Sequence, residues 1–120
     1  MEALHLLLVD DQQVVRDVIA RELRLNNYRV QTAASGEEAL EVTKAQKPDL
    51  VLMDVVMPGM SGFEATRAIS KDPDTSHIPV IICSSKGQET DKAWGMRQGA
   101  RDYLIKPIGE AELMSKIQGL

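Results

Sequence analysis

The chain has 120 residues, of which 43% are hydrophobic, 27% charged and 3% aromatic. This length and composition predict one globular domain, residues 1–120, with an aliphatic core. The formal net charge of -4, with acidic and basic residues mixed along the chain, argues against a DNA-binding surface.

Short apolar runs alternate with amphipathic stretches along the chain. The runs that predict strands are Leu4 to Val9, Tyr28 to Ala33, Leu50 to Met53, Val80 to Cys83 and Tyr103 to Ile105. The stretches with helical spacing are Val14, Val15, Val18, Ile19 and Leu23, then Ala39, Leu40 and Thr43, and later Leu113, Met114 and Ile117. This alternation predicts an α/β fold, with a parallel sheet and helices on both faces that each bury one stripe.

Local signals place several helix ends independently of this periodicity. Segments S-G-E-E from Ser35 and S-G-F-E from Ser61 both fit a capping box at a helix start. Asn26-Asn27 and Gly99 tolerate a left-handed turn, and we expect the first and fourth helices to end there.

The beginning of the chain and its cysteine bear on location and redox chemistry. The start, M-E-A-L-H-L-L-L-V-D-D, lacks the basic region of a signal peptide, and no apolar run reaches membrane-spanning length. We therefore expect a cytoplasmic protein without membrane contact. The single cysteine, Cys83, lies in an apolar run and is expected to pack as a small hydrophobe.

Polar residues directly follow four of the predicted strands. Asp10 and Asp11 follow the first, Asp54 the third, Ser84 the fourth and Lys106 the fifth. The carboxyl ends of parallel strands share one edge of the sheet, where ligands bind, and we expect Asp54 to be half exposed there. Three adjacent carboxylates repel one another unless a cation lies among them, and oxygen ligands suit Mg2+.

The same set is equipped to receive a phosphoryl group. Lys106 offers a positive charge and Ser84 a hydroxyl, and phosphoryl transfer depends mainly on positioning and charge neutralisation. Asp54 stands alone and is the best nucleophile, whereas Asp10 and Asp11 form a natural metal-binding pair. The expected product is an aspartyl phosphate.

Each of these residues also has a simpler interpretation. Asp10 and Asp11 could cap the first helix, Asp54 and Ser84 could be turn residues, and Lys106 could be solvated. Core packing is the simplest role for Met53, Met57 and Met60. For Trp94 the simplest role is that of a half-buried packing residue. Because four such coincidences would have to occur at four strand ends, we favour the phosphoryl site.

Four segments carry a resemblance to a known family. L-L-L-V-D-D, L-V-L-M-D-V-V-M-P-G-M-S-G, V-I-I-C-S-S and G-A-R-D-Y-L-I-K-P occur in this order and resemble the receiver domain of two-component response regulators. The likeness covers essentially the whole chain. It implies a CheY-like, flavodoxin-like (βα)5 fold, doubly wound, with a five-stranded parallel sheet of order 2-1-3-4-5.

The resemblance also implies roles for individual residues. Asp54 would be the phosphoacceptor, Lys106 its phosphoryl contact, and Ser84 and Tyr103 the switch residues. The Mg2+ ligands would be Asp10, Asp11, Asp54 and the backbone carbonyl of Val56. The resemblance further implies a cis peptide bond between Lys106 and Pro107.

By the same resemblance, the protein is not an enzyme acting on a separate substrate. It accepts a phosphoryl group from a histidine kinase and promotes its own phosphorylation and dephosphorylation. Phosphorylation would draw Ser84 inward and let Tyr103 fill the vacated space. The face formed by the fourth helix, fifth strand and fifth helix would then bind a downstream protein, and Trp94 lies on or near that face.

A finer resemblance concerns the pathway. The stretch from K-D-P-D-T-S-H-I-P to the last K-P is most similar to stand-alone receivers of type IV pilus (twitching) chemosensory systems. We therefore expect a signal transduction protein of a chemotaxis or twitching-motility pathway, a monomer or weak dimer without a DNA-binding output domain.

Departures from the family put two positions in doubt, where the family often has polar residues. Val56 and Lys86 lie two residues beyond Asp54 and Ser84, where polar side chains tune hydrolysis of the acyl phosphate. An apolar Val56 cannot orient a water molecule, so we expect slow self-dephosphorylation, which Lys86 could offset.

Three alternatives remain for the function. A phosphatase of the haloacid-dehalogenase type also uses an aspartate nucleophile and Mg2+, but requires a second aspartate where this chain has Val56. A flavodoxin-like cofactor binder is disfavoured because the D-D-Q-Q loop would repel a phosphate. A scaffold that is never phosphorylated is disfavoured by the complete set of acceptor residues.

Overall fold

Five strands alternate with five helices in residues 3–120, the part of the chain that the computed structural model describes. The strands are β1 His5–Val9, β2 Arg29–Ala33, β3 Leu50–Met53, β4 Val80–Ser84 and β5 Asp102–Ile105. The helices are α1 Gln13–Leu25, α2 Gly36–Gln46, α3 Gly62–Lys71, α4 Glu89–Arg97 and α5 Glu110–Gln118. The predicted strands agree with these bounds to within one residue at each end.

The strands form one parallel sheet in the order β2-β1-β3-β4-β5. Val9, the last residue of β1, pairs with Ala33 of β2 on one side and with Met53 of β3 on the other. The chain therefore reverses its direction of winding next to β1, which makes the carboxyl ends of β1 and β3 the topological switch point. The predicted fold class and strand order are confirmed.

The hydrophobic core lies in two layers, one on each face of the sheet. Leu6 and Leu8 of β1 pack against α1 and α5, while Leu7 and Val9 pack against α2 and α3. These four successive residues of β1 point alternately to opposite faces of the sheet, and all of them are apolar because helices cover both faces. Burial of each of the leucines contributes about 2 kcal/mol. The helices leave the ends of the strands free to carry polar groups.

The predicted apolar stripe of α1 is wrong in part. Ala20 and Leu23 are buried, but Val14 is 75% exposed and Val18 is 52% exposed. At about 100° of rotation per residue, Val14 lies on the side of the helix opposite to Leu23. The valines therefore extend around α1 beyond the strip that packs on the sheet, so they do not belong to its buried face.

The predicted helix ends are mostly confirmed. Ser61 forms the capping box with Glu64, and Asn27 and Gly99 have φ values of 71° and 109°. Of the two hydrogen bonds in the capping box predicted from Ser35, only the one to the Ser35 hydroxyl forms.

At the start of α2, Ser35 accepts a hydrogen bond from the Glu38 N–H at 3.1 Å, as a capping box requires. The Glu38 carboxylate, however, accepts from the N–H of Ala34 at 2.7 Å. The backbone of Ser35 is more extended than that of Ser61, with φ of -153° against -74°. It therefore places the N–H of Ala34, and not its own, within reach of the carboxylate.

Within residues 3–120, no helix is both long enough and apolar enough to cross a membrane.

Candidate functional site

The sheet itself holds the acidic residues in place. The backbone N–H of Asp10 donates to the Ala33 carbonyl at 3.1 Å, and that of Asp54 donates to the Val9 carbonyl at 3.0 Å. These bonds extend the β1–β2 and β1–β3 pairings by one residue. Asp10 and Asp54 therefore occupy rigid positions next to each other at the carboxyl edge, as the sequence predicts.

Three carboxyl groups converge at this edge. One oxygen each from Asp10, Asp11 and Asp54 lies within 4.8 Å of the others. Asp10 is 2% exposed and Asp54 is 8% exposed, whereas Asp11 is the most exposed of the three. The expectation that Asp54 is half exposed is therefore wrong. Its backbone is covered by the first residue of α3, Gly62, which packs directly on the Asp54 carbonyl group.

The Lys106 ammonium group lies between the two buried carboxylates. Its Nζ is 2.7 Å from Oδ2 of Asp10 and 3.2 Å from Oδ1 of Asp54. The other oxygen of Asp10 accepts a hydrogen bond from the Gln12 N–H at 2.9 Å. The simpler interpretation that Asp10 and Asp11 cap α1 is wrong, because the N-cap residue is Gln12 and it has no side-chain cap. Asp10 instead stabilises the turn before the helix and belongs to the charged cluster. Lys106 is not a solvated side chain, since only 24% of it is exposed.

The charges of the cluster perturb one another. Burial raises the pKa of the Asp54 carboxyl; the Lys106 charge opposes this increase and the Asp10 charge adds to it. For Lys106, burial favours the neutral amine, but the hydrogen bond to Asp10 and the two carboxylate charges outweigh it and raise the pKa. The site therefore holds a firmly protonated lysine, while the charge on Asp54 is only partly compensated.

The donor set at this edge fits Mg2+. Carboxylate oxygens within 4.8 Å of one another can share one cation, and oxygen ligands with room for water are those that Mg2+ prefers. Bound Mg2+ would also compensate the charge on Asp54 that burial disfavours. Val56, whose carbonyl is predicted to be a further ligand, has a 59% exposed side chain two residues after Asp54. That ligand role stays a prediction.

Ser84 and Tyr103 are both connected to the backbone of Lys86. The Ser84 hydroxyl is fully buried and accepts a hydrogen bond from the Lys86 N–H at 3.1 Å. The Tyr103 hydroxyl donates to the Lys86 carbonyl at 2.6 Å. Tyr103 is 9% exposed, and burial raises the pKa of its phenol. Among residues 3–120, no hydrogen bond connects Ser84 or Tyr103 directly to the three carboxylates.

The role of the Lys86 backbone was missed by sequence reasoning, which considered only its side chain. Every residue type except proline carries the same backbone N–H and carbonyl groups, so the sequence cannot indicate this connection and only the three-dimensional contacts reveal it. The buried position of Tyr103 is the one that the resemblance assigns to the switched form.

Other predictions around the site are confirmed. The Lys106–Pro107 peptide bond is cis. Cys83 is buried, and burial raises the pKa of its thiol to about 12, so it packs as a small hydrophobe. Met53 and Met57 are buried in the core as well. Trp94 on α4 is 47% exposed and thus half-buried, as its simpler interpretation has it. Ile105 at the end of β5 is 37% exposed.

Comparisons with known proteins agree with this geometry. Residues 6–118 match the response regulator receiver domain family. The chain is 47% identical to the protein PilH of Pseudomonas aeruginosa over 116 residues, which cover 97% of this chain and 96% of PilH. It spans about half or less of several other curated relatives, which are longer proteins.

Two solved structures share the fold. The chemotaxis protein CheY4 of Vibrio cholerae matches with a TM-score of 0.92 and 30% identity, covering 99% of this chain and 98% of the other. The receiver domain of the sensor histidine kinase PA1611 from Pseudomonas aeruginosa, described with a magnesium ion coordinated in its active site cleft, matches with a TM-score of 0.90 and 33% identity, covering 98% and 96%. With its acidic cluster, its strand order and its matched length, the chain belongs to the response regulator receiver domain family.

Proposed function

We propose that this receiver is a phosphorelay response regulator in which Asp54 accepts a phosphoryl group from a histidine kinase. The observation that carries the proposal is the position of Lys106, whose Nζ lies 3.2 Å from Asp54 Oδ1 and 2.7 Å from Asp10 Oδ2. Asp54 is thus a buried nucleophile beside a permanent positive charge.

The transfer needs little chemistry from the protein beyond positioning. An Asp54 carboxylate oxygen attacks the phosphorus, the phosphorus–nitrogen bond to the donor imidazole breaks, and an acyl phosphate forms on Asp54. Mg2+ held by Asp10, Asp11, Asp54 and the Val56 carbonyl would neutralise the charge that develops on the phosphoryl oxygens. Lys106 contacts the same oxygens, which requires its Nζ to exchange part of its present contact with Asp54.

The same proposal assigns the switch to Ser84 and Tyr103. In the phosphorylated protein the Ser84 hydroxyl turns toward the phosphoryl group, and the buried position of Tyr103 is favoured. Phosphorylation shifts the population between two arrangements that both exist beforehand. The backbone of Lys86, which contacts both side chains, connects the two movements.

The output of the switch is proposed to be a protein contact. Trp94 and Ile105 give the face formed by α4, β5 and α5 an exposed apolar component, and the net charge of -4 disfavours nucleic acid. The 47% identity to PilH supports a role in a chemosensory pathway of pilus motility. A cytoplasmic location, a single domain over residues 1–120 and a monomer or weak dimer stay predictions.

Incubation with acetyl phosphate and Mg2+, followed by intact mass spectrometry, tests the proposal. We expect the wild type to gain one phosphoryl group, and Asp54→Asn to gain none. Trp94 fluorescence is expected to change with phosphorylation of the wild type alone. If the wild type gains no mass while a known receiver does, the proposed function is wrong.

The phosphatase alternative is not favoured by the structure. That class needs an acid two residues after the nucleophile, and Val56 offers only an exposed apolar side chain at this place. Absence of phosphate release from p-nitrophenyl phosphate is the expected result, and turnover of that substrate would favour the phosphatase.

A further inference from the structure

A glycine in α4 faces the buried ring of Tyr103. Gly95 is buried in the last turn of α4. A Cβ atom placed on it would lie 2.9 Å from Cδ2 and 3.1 Å from Cε2 of Tyr103, and 2.9 Å from Cδ1 of Ile82. Carbon atoms pack favourably at about 3.5–4.0 Å, so a Cβ at residue 95 requires Tyr103 or Ile82 to shift.

This glycine is not explained by local structure. Glycine inside a helix is less favourable than alanine, because the unfolded chain has more freedom to lose. The residues that end α4, including Gly99 with its φ of 109°, lie further along the chain. The close approach of the Tyr103 ring and of Ile82 Cδ1 is the feature at residue 95 that disfavours a Cβ.

We propose that Gly95 is a positioning residue for the switch: the space left by its missing side chain admits the Tyr103 ring and sets the balance between buried and exposed tyrosine. This inference rests on the proposed function for the meaning of that balance. The steric argument itself depends only on the packing of Gly95, Tyr103 and Ile82.

Tyr103 is the group that would yield to a methyl group on residue 95. Ile82 is fully buried in the cluster that also contains Val55 and Ala100, so its side chain has little room to turn. The Tyr103 ring belongs to the same cluster but is 9% exposed, so rotation about its Cα–Cβ bond can carry it toward solvent. That rotation would break the hydrogen bond from its hydroxyl to the Lys86 carbonyl.

Chemical nitration with tetranitromethane measures the balance directly. The chain has two tyrosines, Tyr28 and Tyr103, and peptide mass spectrometry distinguishes them. We expect Gly95→Ala to raise the nitration rate of Tyr103 several-fold and to leave that of Tyr28 unchanged. Gly109→Ala is the matched control, because a Cβ there meets nothing within 4 Å. Equal nitration of Tyr103 in Gly95→Ala and the wild type overturns the inference.

A thermodynamic cycle keeps the inference testable if Gly95→Ala alone is too unstable for nitration. We expect Gly95→Ala to lower the urea midpoint of the wild type but to raise the midpoint of Tyr103→Ala, in which the ring is gone and the helix gains a better residue. A shift of the same sign in both backgrounds, or failure of the double variant to fold, overturns the inference.

Acetyl phosphate and Mg2+ connect the inference to the switch. In the wild type, phosphorylation is expected to slow nitration of Tyr103, while in Gly95→Ala the rate stays high. The intact mass of each sample shows whether the phosphoryl group was accepted. If the wild type takes up none, the proposed function fails, but the comparison of nitration without acetyl phosphate still decides the role of Gly95. Slowing in Gly95→Ala equal to that of the wild type would overturn its role in the switch.

Discussion

The behaviour of Asp54 is governed by its burial next to a second acid. Lys106 offsets part of the cost of its charge, but it is shared with Asp10. A buried charge whose compensation is incomplete is a cost to stability that a functional site retains. The folded protein is therefore expected to be more stable when Asp54 loses its charge or when a cation binds beside it.

We predict that Asp54→Asn raises the free energy of unfolding at pH 7 by about 1 kcal/mol, because it removes a buried charge while Lys106 keeps its contact with Asp10. The folded pKa of Asp54 is raised above the ordinary 3.8, so the stability that its neutral form contributes is present at low pH and is lost as the pH rises through the folded pKa. Urea denaturation should show the difference at pH 7 and a smaller one as the pH falls toward 3.8. The exposed Asp74 provides the control, Asp74→Asn, and equal shifts for the two variants would count against the argument.

The exposed Val56 side chain sets a second prediction. An apolar group beside the acyl phosphate cannot hold a water molecule for attack, so we expect Val56→Asn to shorten the phosphoryl lifetime several-fold. Decay is measured by intact mass after removal of acetyl phosphate. Val56→Ala, which is smaller but still apolar, should leave the lifetime nearly unchanged; equal acceleration in both variants would show that size and not polarity matters.

At the level of single residues, the sequence predicts which side chains meet at the site but not their environment. Asp10, Asp54 and Lys106 follow strands, and strand ends in a parallel sheet share one edge. The burial of Asp54 depends on Gly62 and Lys106, and the role of Gly95 depends on Tyr103. Such contacts between distant residues have no counterpart in local sequence patterns.

At the level of elements, the start of α3 is packed against the acceptor. The Gly62 N–H donates to the Val55 carbonyl at 2.9 Å, and a Cβ on Gly62 would lie 2.7 Å from the Asp54 carbonyl carbon and 2.8 Å from the Val55 Cα. All of these neighbours are backbone atoms, which cannot turn aside. Ser61 then begins the helix with its capping box.

We therefore predict that Gly62→Ala lowers the free energy of unfolding by about 3 kcal/mol, the upper range for an overpacked core position. Urea denaturation measures the loss, with Gly109→Ala as a glycine replacement in open space. A loss no larger than that of the control would mean that α3 can move away from Asp54 at little cost.

The elements themselves were predictable where the pattern was strong. The four-residue run Leu50–Met53 is apolar throughout because both faces of the sheet are covered. The predicted stripe of α1 is too wide, because five apolar residues at helical spacing cover a wider arc than the sheet can contact. Val14 and Val18 lie outside that contact. Which apolar residues of a helix contact its neighbours depends on tertiary packing, which the periodicity of the sequence does not specify.

At the level of the whole molecule, the acidic cluster links cation binding to folding. A ligand that binds only the folded state stabilises it according to its concentration relative to its dissociation constant. Addition of Mg2+ should raise the melting temperature of the wild type in a concentration-dependent way. Asp11→Asn removes one ligand at the most exposed position, so it should fold normally and respond less to Mg2+. An equal response of both proteins would exclude Asp11 as a ligand.

The most direct measurement is to locate the phosphoryl group on the chain. Sodium borohydride reduces an aspartyl phosphate to homoserine, which peptide sequencing by mass spectrometry assigns to one position. After acetyl phosphate and Mg2+, the account predicts homoserine at residue 54 and none at Asp10 or Asp11. Homoserine at either of those residues, or at none in a protein that has gained phosphoryl mass, would contradict it.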